Sequence, residues 1–380
     1  MKKGLYLVAV IMLLIIFSFI YTSCDMGNED ELPINGVRTL STGKSYSFVL
    51  TSTGDLIGFG KNEFKQLGTG GVGHLYDPDV VESDIIAVSS SVQVSAIIDK
   101  DNKLYMMGNN SDGVFGDGRG LNTFPSPELI RENVAKVSVG YGHSAIITTL
   151  GDLYTSGENG FGQLGNGTNV DSTSFGLNPI ATNVRDVAVG GENSNTTYYI
   201  TDNNDLYATG ANNQGQLGNN ATDNVKTPVL IKDNVKDVRA SFTHSLILLH
   251  NGELYGTGSN VSHQINNTVT PNYYVPTLIT TGIKSIETGA DCSFYIDNSN
   301  DLYGIGYNNH GRLGLGETSN ITEYTFIMSN VKEVSSYLDH TLFLKNDGSV
   351  WAAGDNPYGA LGTKDQVDWK TPVRILQDLL

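Results

Sequence analysis

Cysteine is scarce in this chain. Cys24 and Cys292 are the only two in 380 residues, which excludes a disulfide-stapled scaffold by count alone. Basic residues are also short, with 23 Lys and Arg against 40 Asp and Glu, and only Lys2-Lys3 forms a basic block. A nucleic-acid binder needs a face that neutralises phosphates, so that class is excluded and no nucleic-acid partner is expected. No long helical period runs through the chain. The 39 % of hydrophobic residues nevertheless recur in an ordered pattern, which excludes wholesale disorder.

The one sustained apolar run lies at the start. Lys2 and Lys3 precede residues 5–20, apolar apart from Ser18, and Thr22-Ser23 then lead into Cys24. This is the layout of an export signal, short for a spanning helix. It resembles a bacterial lipoprotein signal, with Tyr21 where an aliphatic residue is usual. The resemblance implies a signal peptide over residues 1–23, lipidation at Cys24 and a chain anchored to a bacterial membrane, facing out of the cytoplasm. Residues 24–36 carry Asp25, Glu29, Asp30 and Glu31 and read as an acidic tether.

From residue 37 the chain repeats itself seven times. Seven glycines close an apolar strand motif such as LYTSG or LYGTG: Gly60, Gly108, Gly157, Gly210, Gly258, Gly306 and Gly354, spaced by 48, 49, 53, 48, 48 and 48 residues. Aliphatic pairs keep the same register, among them Val37/Leu40, Val134/Val137 and Val331/Val334. A proline column adds Pro78, Pro127, Pro228, Pro276 and Pro372, with Leu177 and Tyr324 in the two remaining repeats. The repeats are 37–84, 85–133, 134–183, 184–234, 235–282, 283–330 and 331–376, followed by a tail over 377–380. Each holds four short strands, the second and third joined by hairpin turns such as TLGD and HNGE. In the third repeat the fourth strand is expected over 177–182. Four strands per unit of about 48 residues define a propeller blade. The expected fold is all-β: a seven-bladed propeller of four-stranded antiparallel blades, with the first and last strands side by side to close the ring.

The loops after the closing glycines support a family resemblance. They follow an N-x-x-G-Q-L-G style at 159–165 and 212–218, with variants at 308–314 and 356–362, and His-Ser precedes the second strand at 143–144 and 244–245. Over residues 37–376 the chain resembles the regulator of chromosome condensation repeat family. That resemblance implies the propeller fold and leaves function open, because these residues build the blade. The family founder's guanine-nucleotide exchange is one reading, opposed by export. A second comes from a secreted propeller of similar fold that inhibits β-lactamases: inhibition of an extracytoplasmic enzyme.

No catalytic constellation emerges from the residues, and neither a cofactor nor a metal site is expected. His143, His244 and His340 share one repeat column with Cys292 and read as buried hydrogen-bonding struts. Asp112 and Asp117 lie in NNSDGVFGDG, whose spacing misses an EF-hand and fits turns. Strand alternation places the short loop between first and second strands on the same rim as the long loops. Loops on a rigid scaffold display binding residues. The binding candidates on the short loops are Tyr141, Glu192, Phe242, Asp291 and Asp339. Those on the long loops are Tyr76, Phe124, Tyr273, Tyr274 and Trp369, with Phe175 and Tyr324 in the same outer ring. The function expected is a membrane-anchored, non-catalytic propeller that recognises a protein or glycan at the cell envelope.

Overall fold

The computed structural model describes residues 36–119, 122–191 and 195–376; the signal segment, Cys24, the tether up to residue 35, Glu192 and the tail over 377–380 lie outside them. Seven antiparallel sheets follow one another along the chain, and in each the strands are neighbours in sequence order. The first blade is Val37–Gly43, Tyr46–Thr51, Leu56–Gly60 and Leu75–Glu82. The other innermost strands are Ile85–Ser90, Val134–Val139, Val184–Val189, Val235–Ala240, Ile283–Thr288 and Val331–Ser336.

Glycine sets the corner of every blade. All seven closing glycines have φ between 99° and 118°. A Cβ on any of them would strike the carbonyl oxygen of the residue just before the second strand, as at Asn195 or Thr243. That carbonyl takes a hydrogen bond from the residue after the glycine, at 2.7–2.9 Å in all seven blades. The short loop and the start of the long loop are thereby fastened on one rim. A side chain there would cost both the left-handed backbone and this bond.

The long loops are stapled by asparagine. Asn62, Asn110, Asn159, Asn212, Asn260, Asn308 and Asn356 are buried. Each accepts the N–H of the residue five positions on, from Leu67 through Leu361, at 2.9–3.1 Å. The aliphatic or aromatic residue so fixed drops into the apolar layer between blades, where Leu217 packs with Val235 and Ile247. Proline marks the other edge: Pro78, Pro127, Pro228, Pro276 and Pro372 all lie in outermost strands. Lacking an N–H, proline keeps an exposed edge from templating further strands.

Two expectations need correction. The fourth strand of the third blade does not form over 177–182; the blade is three-stranded, edged by isolated bridges Leu153–Ala181 and Gly157–Ser172. The reason is Phe175, which is buried against Val114 and Phe115 of the second blade. It draws residues 172–175 across the junction, where Gly118 N–H bonds Thr173 O at 2.8 Å and Phe175 N–H bonds Gly116 O at 3.1 Å. Ring closure also differs in detail. The first strand and the last, Trp369–Ile375, belong to different sheets, and each blade is completed by its own repeat. Val37, Ile375 and Leu376 share one apolar cluster. Glu333 Oε1 accepts Thr39 Oγ1–H at 2.6 Å and Leu40 N–H at 3.0 Å, while Ser335 Oγ accepts Thr42 N–H at 3.0 Å. Closure is therefore an ordinary blade-to-blade seam.

Candidate functional site

The buried histidines stitch the seams between blades. His143 Nε2 meets Thr197 Oγ1 at 3.0 Å, His244 Nε2 meets Ser293 Oγ at 2.8 Å, and His340 Nε2 meets Ser47 Oγ at 2.7 Å. Each hydroxyl belongs to the second strand of the next blade. Each donates its own proton back to a long-loop carbonyl, of Gln163, Gln264 and Ala360 respectively. The ring nitrogen must then be the donor, so these imidazoles are neutral Nε2–H tautomers. Burial holds His143 down to about 4 and His244 and His340 down to about 3. Burial also pushes the Cys292 thiol up to about 11, so no thiolate forms at neutral pH.

The innermost strands of all seven blades enclose a cavity of about 280 Å³. Ser41, Thr42, Ser89, Ser90, Ser138 and Ser335 give it a hydroxyl-rich wall. One side is charged: Arg239 pairs with Asp237 at 2.9 Å and Glu287 at 3.3 Å. Burial outweighs the arginine for Glu287, pushing its carboxyl up to about 7, and also raises Asp237. Phe242 and Tyr337 line the same cavity, with ring centroids 5.9 Å apart in an edge-to-face arrangement. Phe242 packs closely on Gly191, so it is a half-buried part of this wall. Tyr337, one residue before the Leu338-Asp339 short-loop pair, carries no signal in the repeat register that would mark it as lining the cavity.

Two of the acidic candidates, Asp291 and Asp339, are engaged. Arg312, buried in the sixth blade's long loop, reaches Asp339 of the seventh blade's short loop at 3.8 Å and stacks 4.9 Å from the Tyr307 ring centroid. Burial raises the Asp291 carboxyl against the pull of Thr243, 3.3 Å away, and of Arg312. Asp291 and Asp339 thus help to compensate a buried guanidinium.

The outer aromatics divide. Tyr76, Tyr141 and Tyr274 are exposed. Phe124 turns inward to Phe115 at 5.1 Å and under Arg119 at 5.2 Å. Phe175 is buried, Tyr324 lies 4.7 Å from Tyr295, and Trp369 packs into the seam of the seventh and first blades. The Tyr273 hydroxyl bonds Asn266 and Thr268 in its own blade. The reading of Phe175 as a rim aromatic is corrected, because it is buried in the seam with the second blade; Phe124 and Tyr324 are half-buried, against Phe115 and against Tyr295 of Tyr324's own blade.

Most exposed apolar side chains fall in two places: the outermost strands, with Val80, Leu129, Leu230, Val275, Leu278 and Phe326, and the long loops. Val72, Phe161, Val170, Val261, Val269 and Val367 are exposed there, joined by Tyr141 in a short loop. Among the described residues, the opposite rim of tight hairpins exposes only Leu150 among its large apolar side chains. Val170 and Val269 sit beyond the recognisable GQLG segment, where the repeat register carries no pattern to flag them. At the seam of the sixth and seventh blades the same rim gathers His310, Asp355 and Asp368. His310 Nδ1 is 3.2 Å from Asp355 and 3.6 Å from Asp368.

A propeller of seven sequential blades with asparagine-stapled loops is an RCC1-type propeller. The family model for the RCC1-like domain matches residues 123–379, and the chain belongs to that family. Human WBSCR16 is similar in structure, with a TM-score of 0.70 at 21 % identity over 80 % of this chain and 86 % of its own. Prp20p from Saccharomyces cerevisiae, studied for its binding to Gsp1p and histones, gives 0.67 at 17 % identity over 82 % and 84 %. Yeast RCC1 (Prp20) bound to Kap60 gives 0.66 at 19 % identity over 79 % and 78 %. These likenesses establish the fold. No curated protein matches the chain significantly.

Proposed function

We propose that this chain is a non-catalytic recognition propeller, held through lipid on Cys24 to the outer side of a bacterial membrane, that takes a protein partner on its long-loop rim. The observation that carries the reading is an asymmetry between the loops of the two rims: among the described residues, Val72, Tyr141, Phe161, Val170, Val261, Val269 and Val367 are exposed in the loops of one rim, whereas the tight hairpin turns of the other expose Leu150. Exposed apolar residues gathered on one face favour association, whereas scattered ones are normal. The buried histidines and thiol, each committed to a seam, argue against catalysis. Yeast Prp20 is described with protein partners, which supports protein over glycan as the ligand class here.

Two experiments test this. Cys24→Ala should move the full chain from the membrane to the soluble fraction without changing its melting temperature; persistent membrane attachment would contradict lipid tethering. Crosslinking the tagged full chain in cell envelopes should yield a partner that is lost when Tyr141, Phe161 and Val261 become serine. A partner retained by that folded variant would contradict the rim assignment.

A further inference from the structure

The seam group of His310, Asp355 and Asp368 goes beyond the recognition surface. Its members come from two repeats. His310 is the third residue of the sixth blade's long loop, Asp355 directly follows the closing Gly354, and Asp368 ends the seventh blade's long loop. Asp368 Oδ1 accepts the Asn356 N–H at 2.9 Å, the loop-closing bond that Asp171 makes to Asn159 in the third blade. That bond fixes the carboxylate and leaves Oδ2 facing His310 Nδ1.

One atom from each of the three side chains lies within 4.8 Å of the other two. Measured from the imidazole nitrogen, the separations are 3.2 and 3.6 Å. A tetrahedral ion with ligand bonds of 2.0–2.2 Å spaces its ligands by about 3.4 Å. His310 is also the one residue of its column with positive φ, at 60°; Phe64, Asp112, Phe161, Gln214, Ser262 and Tyr358 are absent from the left-handed region.

The next seam shows the same three positions used differently. There Tyr358 replaces the histidine, Lys61 the first aspartate and His74 the second. The Lys61 ammonium sits 4.8 Å from the Tyr358 ring centroid and His74 stacks edge-on at 5.0 Å. That seam carries its own cation, while its neighbour presents one nitrogen and two oxygen donors.

The geometry points to a divalent transition-metal site of the zinc class at His310, Asp355 and Asp368, clamping the sixth blade to the seventh and leaving a coordination position open to the rim. Two carboxylates balance the charge of a divalent ion. The imidazole discriminates against Ca²⁺ and Mg²⁺, which take oxygen ligands. The partly exposed site gives the ion a path in.

The test is calorimetric titration of Zn²⁺ into the full chain, purified without a polyhistidine tag and stripped with chelator, with Ca²⁺ as the comparison. One equivalent of Zn²⁺ should bind and Ca²⁺ should not. His310→Ala and Asp355→Asn should each weaken Zn²⁺ by about tenfold or more, and His250→Ala should leave it unchanged. The metal-free melting temperatures of the variants confirm folding, and Zn²⁺ should raise that of the native chain alone. Absence of Zn²⁺ binding, equal binding of Ca²⁺, or affinity unchanged in both seam variants would overturn the site.

Discussion

The seams between blades and the rim above them are built from the same repeats by opposite rules. In the seams, glycine returns at every corner and asparagine at every loop base, while the first residue of the second strand, histidine in three blades, is buried in all seven. On the rim the register is kept but the residue changes, from Tyr141 to Phe242 to Leu338 at one position of the short loops and from Gly142 to Thr243 to Asp339 at the next. Seam positions are held by contacts that every junction must make. Among the described residues, rim side chains carry no contact common to all seven junctions, which lets exposed ones such as Tyr141 vary for recognition.

The largest expected effect comes from removing a seam altogether. Truncation after Asn330 deletes the seventh blade and leaves Thr39, Leu40, Thr42 and Ser47 without the partners that Glu333, Ser335 and His340 supply. Cooperative thermal unfolding should disappear, and a stable six-bladed product would show that the closing seam is dispensable. Gly258→Ala keeps the ring but presses a Cβ on Thr243 O at φ 99°; it should cost about 2–3 kcal/mol in chemical denaturation. His244→Ala leaves Ser293 without its donor and should cost about 1–3 kcal/mol, whereas Tyr76→Ser on the periphery should cost under about 1 kcal/mol. If the latter two costs came out equal, the division between seam and rim would fail.

A subtler contrast is in pH. His143, His244 and His340 have folded pKa values of about 4, 3 and 3, below the ordinary 6.5. Their stabilisation is complete above pH 6.5 and is lost as pH falls toward those values, because the unfolded rings take up protons first. Glu287 runs the other way. Its folded pKa of about 7 lies above 4.5, so its contribution is full below pH 4.5 and is lost as pH rises through 7. Melting temperatures should therefore drop on acidification to pH 4, and Glu287→Gln should make that drop steeper between pH 7 and 4.5. An unchanged slope would mean that the channel carboxylate is solvated.

Much of the fold was legible because seven copies of a rule expose it: closing glycines, loop asparagines and edge prolines all recur in register. The fourth strand of the third blade was not, since a single insertion lets Phe175 find a neighbour's apolar seam, and no period records that. Rim chemistry was legible only as variability. The pairing of Arg312 with Asp339, and the gathering of His310 with Asp355 and Asp368, depend on which blade follows which in space. The second follows once the third loop residue of one repeat is aligned with the positions flanking the next repeat's long loop; the first links a fifth loop residue to a short loop.

The proposed recognition surface lies on the long-loop rim and not on the hairpin rim. Its most direct test is the affinity of the crosslinked envelope partner for three full-length chains: the native one, the Tyr141/Phe161/Val261→Ser variant, and Leu150→Ser on the hairpin rim. Loss of at least about tenfold in the first variant alone, with all three melting together, is the result predicted. Equal affinity in all three, or loss only with Leu150→Ser, would contradict it.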